Sequence, residues 1–201
     1  AWKGRIDGLV NNAGISQRSL AIDTAFTVYQ QMINVDLLAP IALTQAVLPK
    51  MVNAGGGHIV AISSVAGIAG VPMRSAYCAA KHGLIGYHDS VRAENEHLGI
   101  QVHVIAPGSV QTNVSINALT ADGAKRGVSD SAIDNGMSPN DSAEAIIDAI
   151  NNGTRELILA TGVEQHIALL RRSDPDALFD ATSSMVREGY AAAMNAKAGE
   201  S

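Results

Sequence analysis

Four short runs rich in β-branched and apolar residues, Ile6 to Val10, His58 to Ile62, Gln101 to Ala106 and Glu156 to Ala160, are separated by much longer segments of helical period. None of the separations suits a hairpin, so the strands must be joined by crossovers. That alternation specifies a parallel sheet covered by helices on both faces. The 201 residues are enough for one domain with a substantial core and too few for two ordinary ones.

The first crossover helix is expected to begin near Asp23 or Thr24, either of which can cap it, and to run to about Met51 before Gly55, Gly56 and Gly57 end it. Pro40 falls inside it, which predicts a kink near Asn34 to Asp36 and carbonyl groups free for another partner. The second helix spans about Ser75 to Leu98, with Gly99 placed to close it in a left-handed conformation. A third begins at Ser138, Pro139 and Asp141, with proline at its first position, and stops before Gly153.

Between Asn113 and Met137 the chain turns small and polar and loses its periodicity. A long segment at the carboxyl end of a strand in an open α/β sheet is where ligands are covered, and residues 113–137 are expected to form a substrate lid.

Charge and composition exclude several functions. The net charge of -5 and the absence of a Lys/Arg run argue against nucleic acid as a partner. Cys78 is the only cysteine, which rules out an internal disulfide, favours a reducing compartment and suits a small packing residue. His58, His82, His88, His97, His103 and His166 form no metal-ligating pattern, so no metal is expected. The apolar runs read as strand-sized, short of the roughly twenty residues of a membrane span, and no signal-peptide pattern opens the chain. A soluble, cytoplasmic segment is expected, with no membrane partner for this part and room for an anchor in a preceding N-terminus.

The residues that carry chemistry are Ser64, at the end of the second strand, and Tyr77 and Lys81 on the following helix. A separation of four places a phenol and an ammonium one turn apart on one helix face. A tyrosine, with an ordinary pKa near ten, is a poor acid–base catalyst at neutral pH, and a neighbouring cation favours its phenolate. Ser64 is placed to hydrogen-bond a substrate oxygen. Asn11 and Asn12 end the first strand, where their amides can pair with the backbone of neighbouring strands, and Gly14 leaves room for a ligand against the backbone. The same segment suits an ordinary strand-ending turn, as do Pro107 and Gly108.

The stretches VAISSVAG and YCAAK resemble the active-site segment of the short-chain dehydrogenase/reductase family. Leu9 to Gly14 is similar to that family's NNAG segment, Ile33-Asn34-Val35 to its helix carrying a catalytic asparagine, and Ala106 to Thr112 to its PG-x-V-x-T turn. The resemblance covers about residues 5 to 160, and TNVSINALTADGAKRGV is similar to the subgroup around dehydrogenase/reductase member seven. It implies a doubly wound, Rossmann-like sheet and hydride transfer between nicotinamide and a carbonyl or secondary alcohol, with Asn34, Ser64, Tyr77 and Lys81 as catalytic residues. Asn34 would hold a water that connects the lysine to solvent. Asn12, Ala13, Gly14, Ile62, Tyr77, Lys81, Pro107, Gly108, Val110 and Thr112 would border an NAD(P) cofactor, with a lean toward NADP. A homodimer or homotetramer joined through the Ser75 to Leu98 helix is implied, its small residues Ala79, Ala80, Gly83 and Gly86 permitting close approach.

A complete member of that family opens with a strand, a Gly-rich phosphate turn and a helix, none of which precedes Ile6 here. The chain is therefore expected to be the C-terminal two-thirds of such an enzyme. Two other readings stay open: a non-catalytic binding or assembly module, if it is a natural short form, and an epimerase or dehydratase of the extended branch. The forty or so residues after Ala160 are too few for the larger substrate domain of that branch.

Overall fold

A computed structural model describes residues 4–199. Four strands, β1 (Gly8–Asn11), β2 (Gly57–Ile62), β3 (Ile100–Pro107) and β4 (Glu156–Leu159), form one sheet in the order β1-β2-β3-β4. Every pairing is parallel, as the long connections require. β1 begins and ends later than hydrophobicity alone suggests, because Asn11 pairs with Ala61 at the far end of the ladder.

Between β1 and β2 lie α1 (Phe26–Ile33), a π-helical turn (Asn34–Leu38) and α2 (Ala39–Asn53). The helix starts at Phe26 after extended Ala25, without the expected cap from Asp23 or Thr24. The Thr24 hydroxyl is engaged elsewhere, donating to the Leu20 carbonyl and accepting from the Gln17 amide. Pro40 has no N–H to return to the turn before it, and the irregularity takes the form of the π turn, with the Ala39 N–H reaching back to the Asn34 carbonyl. The whole run Phe26–Asn53 is long and apolar enough, by length and composition alone, to cross a membrane. This corrects the expectation of strand-sized apolar runs: single polar residues break the runs while the average stays apolar.

After β2 come a 3-10 turn (Val65–Gly67), α3 (Ser75–Asn95) and a closing 3-10 turn (Glu96–Leu98), ended by Gly99 at φ 85°. Gly56 and Gly99 pack backbone to backbone, where any Cβ on Gly56 would collide with the Gly99 carbonyl. After β3 follow α4 (Ser131–Asp134) and α5 (Pro139–Asn151), the latter capped by the Ser138 hydroxyl accepting from the Asp141 N–H. Beyond β4 the chain forms α6 (Gly162–Ser173), α7 (Pro175–Arg187) and α8 (Tyr190–Gly199).

The period of two along the strands sorts the core into two layers. Ile59, Ile100 and Val102 pack with Met51 of α2 and Val91 of α3 on one face, while Val60 and Ile105 pack with Ala149 of α5 on the other. Each fully buried Ile or Val contributes about 1.5–3 kcal/mol, and the layer of Ile59, Ile100 and Val102 holds α3 against the sheet through Val91. Gly67 fixes how closely. A Cβ there would fall on the Ser63 hydroxyl and 2.8 Å from the Lys81 carbonyl. Gly67→Ala is expected to push α3 off the turn and cost about 1–3 kcal/mol, read as a lowered urea midpoint.

Candidate active site

The carboxyl ends of β1, β2 and β3 carry the residues in question. α3 presents Tyr77 and Lys81 from its first turns, and the Lys81 Nζ lies 5.6 Å from the centre of the Tyr77 ring. Lys81 is buried, and its ammonium donates to the Ile62 carbonyl at 3.0 Å, the last residue of β2. Ser63 ties the same helix to the strand, its hydroxyl donating to the Lys81 carbonyl at 3.0 Å. Tyr77 is half-buried. Ser64 stands next in the chain, where its hydroxyl accepts from the Ala66 N–H at 3.1 Å and lies 3.4 Å from the Pro107 carbonyl at the end of β3.

Asn34 does not join this group. Its side chain is exposed at the start of the π turn, and two residues along a helix is more than half a turn away. The side chain that faces Lys81 from this helix is Asp36, fully buried, with Oδ2 at 3.6 Å from Nζ and Oδ1 accepting from the Ile15 N–H at 2.9 Å. The signal was present in the sequence. Val28, Met32, Asp36, Pro40 and Thr44 recur at steps of four, and all are buried. A carboxylate on an otherwise inward-facing stripe needs a partner, and Lys81 supplies it.

Asn11 also differs from expectation. Its amide donates to the Thr44 hydroxyl at 3.1 Å and faces His88 Nε2 at 3.4 Å, tying β1 to α2 and α3 through side chains and not to strand backbone. The His88 Nδ1–H donates to the Leu84 carbonyl, which leaves Nε2 as the acceptor, and burial pushes this imidazole's pKa down, keeping it neutral. Asn12, Ala13 and Gly14 follow on an exposed turn. A Cβ on Gly14 would sit 3.3 Å from Lys81 Nζ and 3.4 Å from Asp36 Oδ2, so the glycine backbone closes over the ion pair.

At the end of β3, Pro107, Gly108 and Val110 are half-buried and Thr112 is exposed, its hydroxyl donating to the Val110 carbonyl at 3.3 Å. Sequence reasoning missed Glu164 of α6 at this turn. Its carboxylate accepts from both the Ser109 N–H and the Ser109 hydroxyl at 2.7 Å. Of the small residues on α3, Ala79 and Gly86 face outward and Gly83 lies against Leu37, whereas Ala80 is buried in the core and is unavailable to another helix.

Residues 113–137 are more anchored than their composition suggests. Leu119 bridges to Gln17 and to Lys125, Val110 to Met137, and Asp130 receives Arg18, Arg126 and Arg74. Burial and the adjacent Arg74 push the Arg18 pKa down to about 10. Burial works to raise the Asp130 carboxyl as well, but Arg18 and Arg126 overcome it and hold it below the usual range.

A parallel sheet with helices on both faces is a Rossmann-like fold, and the chain belongs to the short-chain dehydrogenase family, whose model matches residues 1–122. It is similar to dehydrogenase/reductase SDR family member 7B of Danio rerio, 45% identical over 157 residues, covering 78% of this chain and 51% of that protein. The Bos taurus protein of the same name is 40% identical over 185 residues, covering 92% and 57%. The chain thus spans about half the length of the curated relatives it matches. Among solved structures, a short-chain dehydrogenase from Streptomyces avermitilis superposes with a TM-score of 0.72 at 25% identity, covering 92% of this chain and 72% of that one. A 4-hydroxyisoleucine dehydrogenase solved with NADH and succinate superposes at 0.63 with 27% identity, covering 78% and 67%.

The residues present fit a nicotinamide dinucleotide. Lys81, with one hydrogen-bond acceptor in the Ile62 carbonyl and Asp36 at ion-pair distance, keeps ammonium capacity for a ribose hydroxyl, Tyr77 adds a phenol, and the exposed turn Asn12–Gly14 leaves backbone open beside them.

Proposed function

We propose that this chain carries the catalytic half of an NAD(P)-dependent oxidoreductase that interconverts a carbonyl and a secondary alcohol, with Tyr77 as the proton donor and acceptor. The observation that carries the reading is the Tyr77–Lys81 pair, ring and ammonium 5.6 Å apart at the carboxyl edge of the sheet. The nicotinamide, when bound, supplies the hydride chemistry. Ser64 orients the substrate oxygen, Tyr77 exchanges its proton, and Lys81 favours the phenolate and holds ribose hydroxyls. Asn12, Ala13, Gly14, Ile62, Pro107, Gly108, Val110 and Thr112 border the cofactor, and residues 113–137 cover the substrate. NADP is the preferred cofactor, a lean that comes from the likeness to the member-seven proteins.

The assembly is a homodimer or homotetramer joined through the outer faces of α2 and α3. Leu38 at the end of the π turn and Leu43 of α2 are about half exposed, Ala79 and Gly86 of α3 are exposed as well, and such surfaces suit a second copy.

The test follows NAD(P)H absorbance in the full-length protein with a panel of ketones, aldehydes and secondary alcohols. Lys81→Met is expected to lower turnover by about 10²-fold or more and to weaken cofactor binding. His82→Ala is expected to leave both near normal, because His82 is exposed and its Nδ1–H is used on the Cys78 carbonyl. Equal effects of the two changes would reject the assignment.

A further inference from the structure

The Lys81 ammonium has a partner to which the proposed reaction assigns no role. Asp36 is fully buried, its Oδ1 is committed to the Ile15 N–H, and its Oδ2 has no hydrogen-bond partner. That oxygen lies 3.6 Å from Nζ, at ion-pair and not hydrogen-bond distance. Three features bring the two charges together. The π turn presents Asp36 inward, Gly14 lacks the side chain that would crowd both groups, and the Ile62 carbonyl fixes Nζ by a hydrogen bond. A buried carboxylate placed here without purpose would be costly, and an apolar residue would continue the stripe.

We propose that Asp36 is a positioning residue that acts through Lys81: its carboxylate is the lysine's counter-ion and sets how much of the ammonium's charge reaches the Tyr77 phenol. This presupposes Tyr77 as the proton donor proposed above. Lys81, from α3, is the charged group that faces Asp36. The loop after β1 meets it with the Gly14–Ile15 backbone, and Tyr77 is the next titratable group, beyond the lysine. Burial pushes the Asp36 carboxyl up, and Lys81 and the Ile15 N–H oppose that rise. When Asp36 is ionised, the pair is neutral and the phenol feels a weakened cation. With the carboxylate removed, the full ammonium charge favours the phenolate.

Asp36→Asn removes the charge and keeps a carbonyl for the Ile15 N–H. In the full-length enzyme the acid limb of kcat/KM for alcohol oxidation is expected to move to lower pH by about one unit. A second readout needs no turnover. The phenolate absorbance that Tyr77→Phe abolishes should titrate at lower pH in Asp36→Asn by a similar amount. Asp36→Ser, smaller than the site, gives the same direction if the amide does not fit, and circular dichroism verifies folding of each. Folded variants with both titrations unmoved would overturn the inference and leave Asp36 as an anchor for Ile15 alone. A moved phenol titration in a protein without oxidoreductase turnover would instead sink the proposed function and leave the Asp36–Lys81 coupling standing.

Discussion

Tyr77→Phe is expected to lower turnover in the full-length enzyme by about 10²- to 10⁴-fold, the range a positioned acid–base group contributes. Folding should be nearly unchanged. The ring is half-buried and packs beside the cluster of Val28, Met32, Ala76 and Leu119, and phenylalanine keeps that contact. No hydroxyl hydrogen bond ties Tyr77 to the rest of the described fold, in contrast to Tyr29, whose hydroxyl meets that of Ser75 at 2.7 Å. What the change removes is the exchangeable proton beside Lys81. The checks are initial rates from NAD(P)H absorbance and a thermal melt on one preparation. A folded variant turning over at near wild-type rate would remove Tyr77 from the reaction.

The parts of this site that were legible in sequence are those fixed by local rules. Tyr77 and Lys81 share a face because four residues make about one helical turn, and no tertiary contact alters that. Gly99 was legible as a left-handed closure, and Ser138 as a cap, for the same local reason. Asn34 stands exposed, outside the pair, because side-chain direction along this helix depends on its phase. Pro40 signals a disturbance in the sequence, but a kink and a π turn rotate the preceding residues differently, and the π turn presents Asp36 inward. Thr24 failed as a cap because its hydroxyl serves the preceding turn, an interaction that depends on Gln17 being nearby in space. Glu164 lies beyond any local rule, since it reaches Ser109 across 55 residues.

The same distinction applies to residues 113–137, whose small, polar composition gives no hint of how firmly Asp130 fastens them. Arg18 reaches it from the loop after β1 and Arg126 from within the segment, all three side chains being at most 5% exposed. Arg126 also donates to the Met194 carbonyl of α8, so one carboxylate joins three parts of the chain. Replacing it leaves two guanidinium groups in a buried place with no counter-charge, a situation that costs far more than the intact pair contributes. Asp130→Ala is therefore expected to lose about 3–5 kcal/mol, read as a lowered urea midpoint at pH 7. The pH dependence has a definite sign. Because Arg18 and Arg126 hold the folded-state carboxyl below its unfolded value, its contribution is fully present above the ordinary carboxylate range and fades as pH falls through the depressed value. The gap between wild type and Asp130→Ala should thus be wide at pH 7 and narrow progressively below about pH 4. If the proposed lid closes on substrate, the variant should also raise KM more than it lowers kcat, since the segment loses its anchor while Tyr77 and Lys81 keep theirs. A variant as stable as wild type at pH 7 would mean that the arginine cluster is compensated by groups other than Asp130.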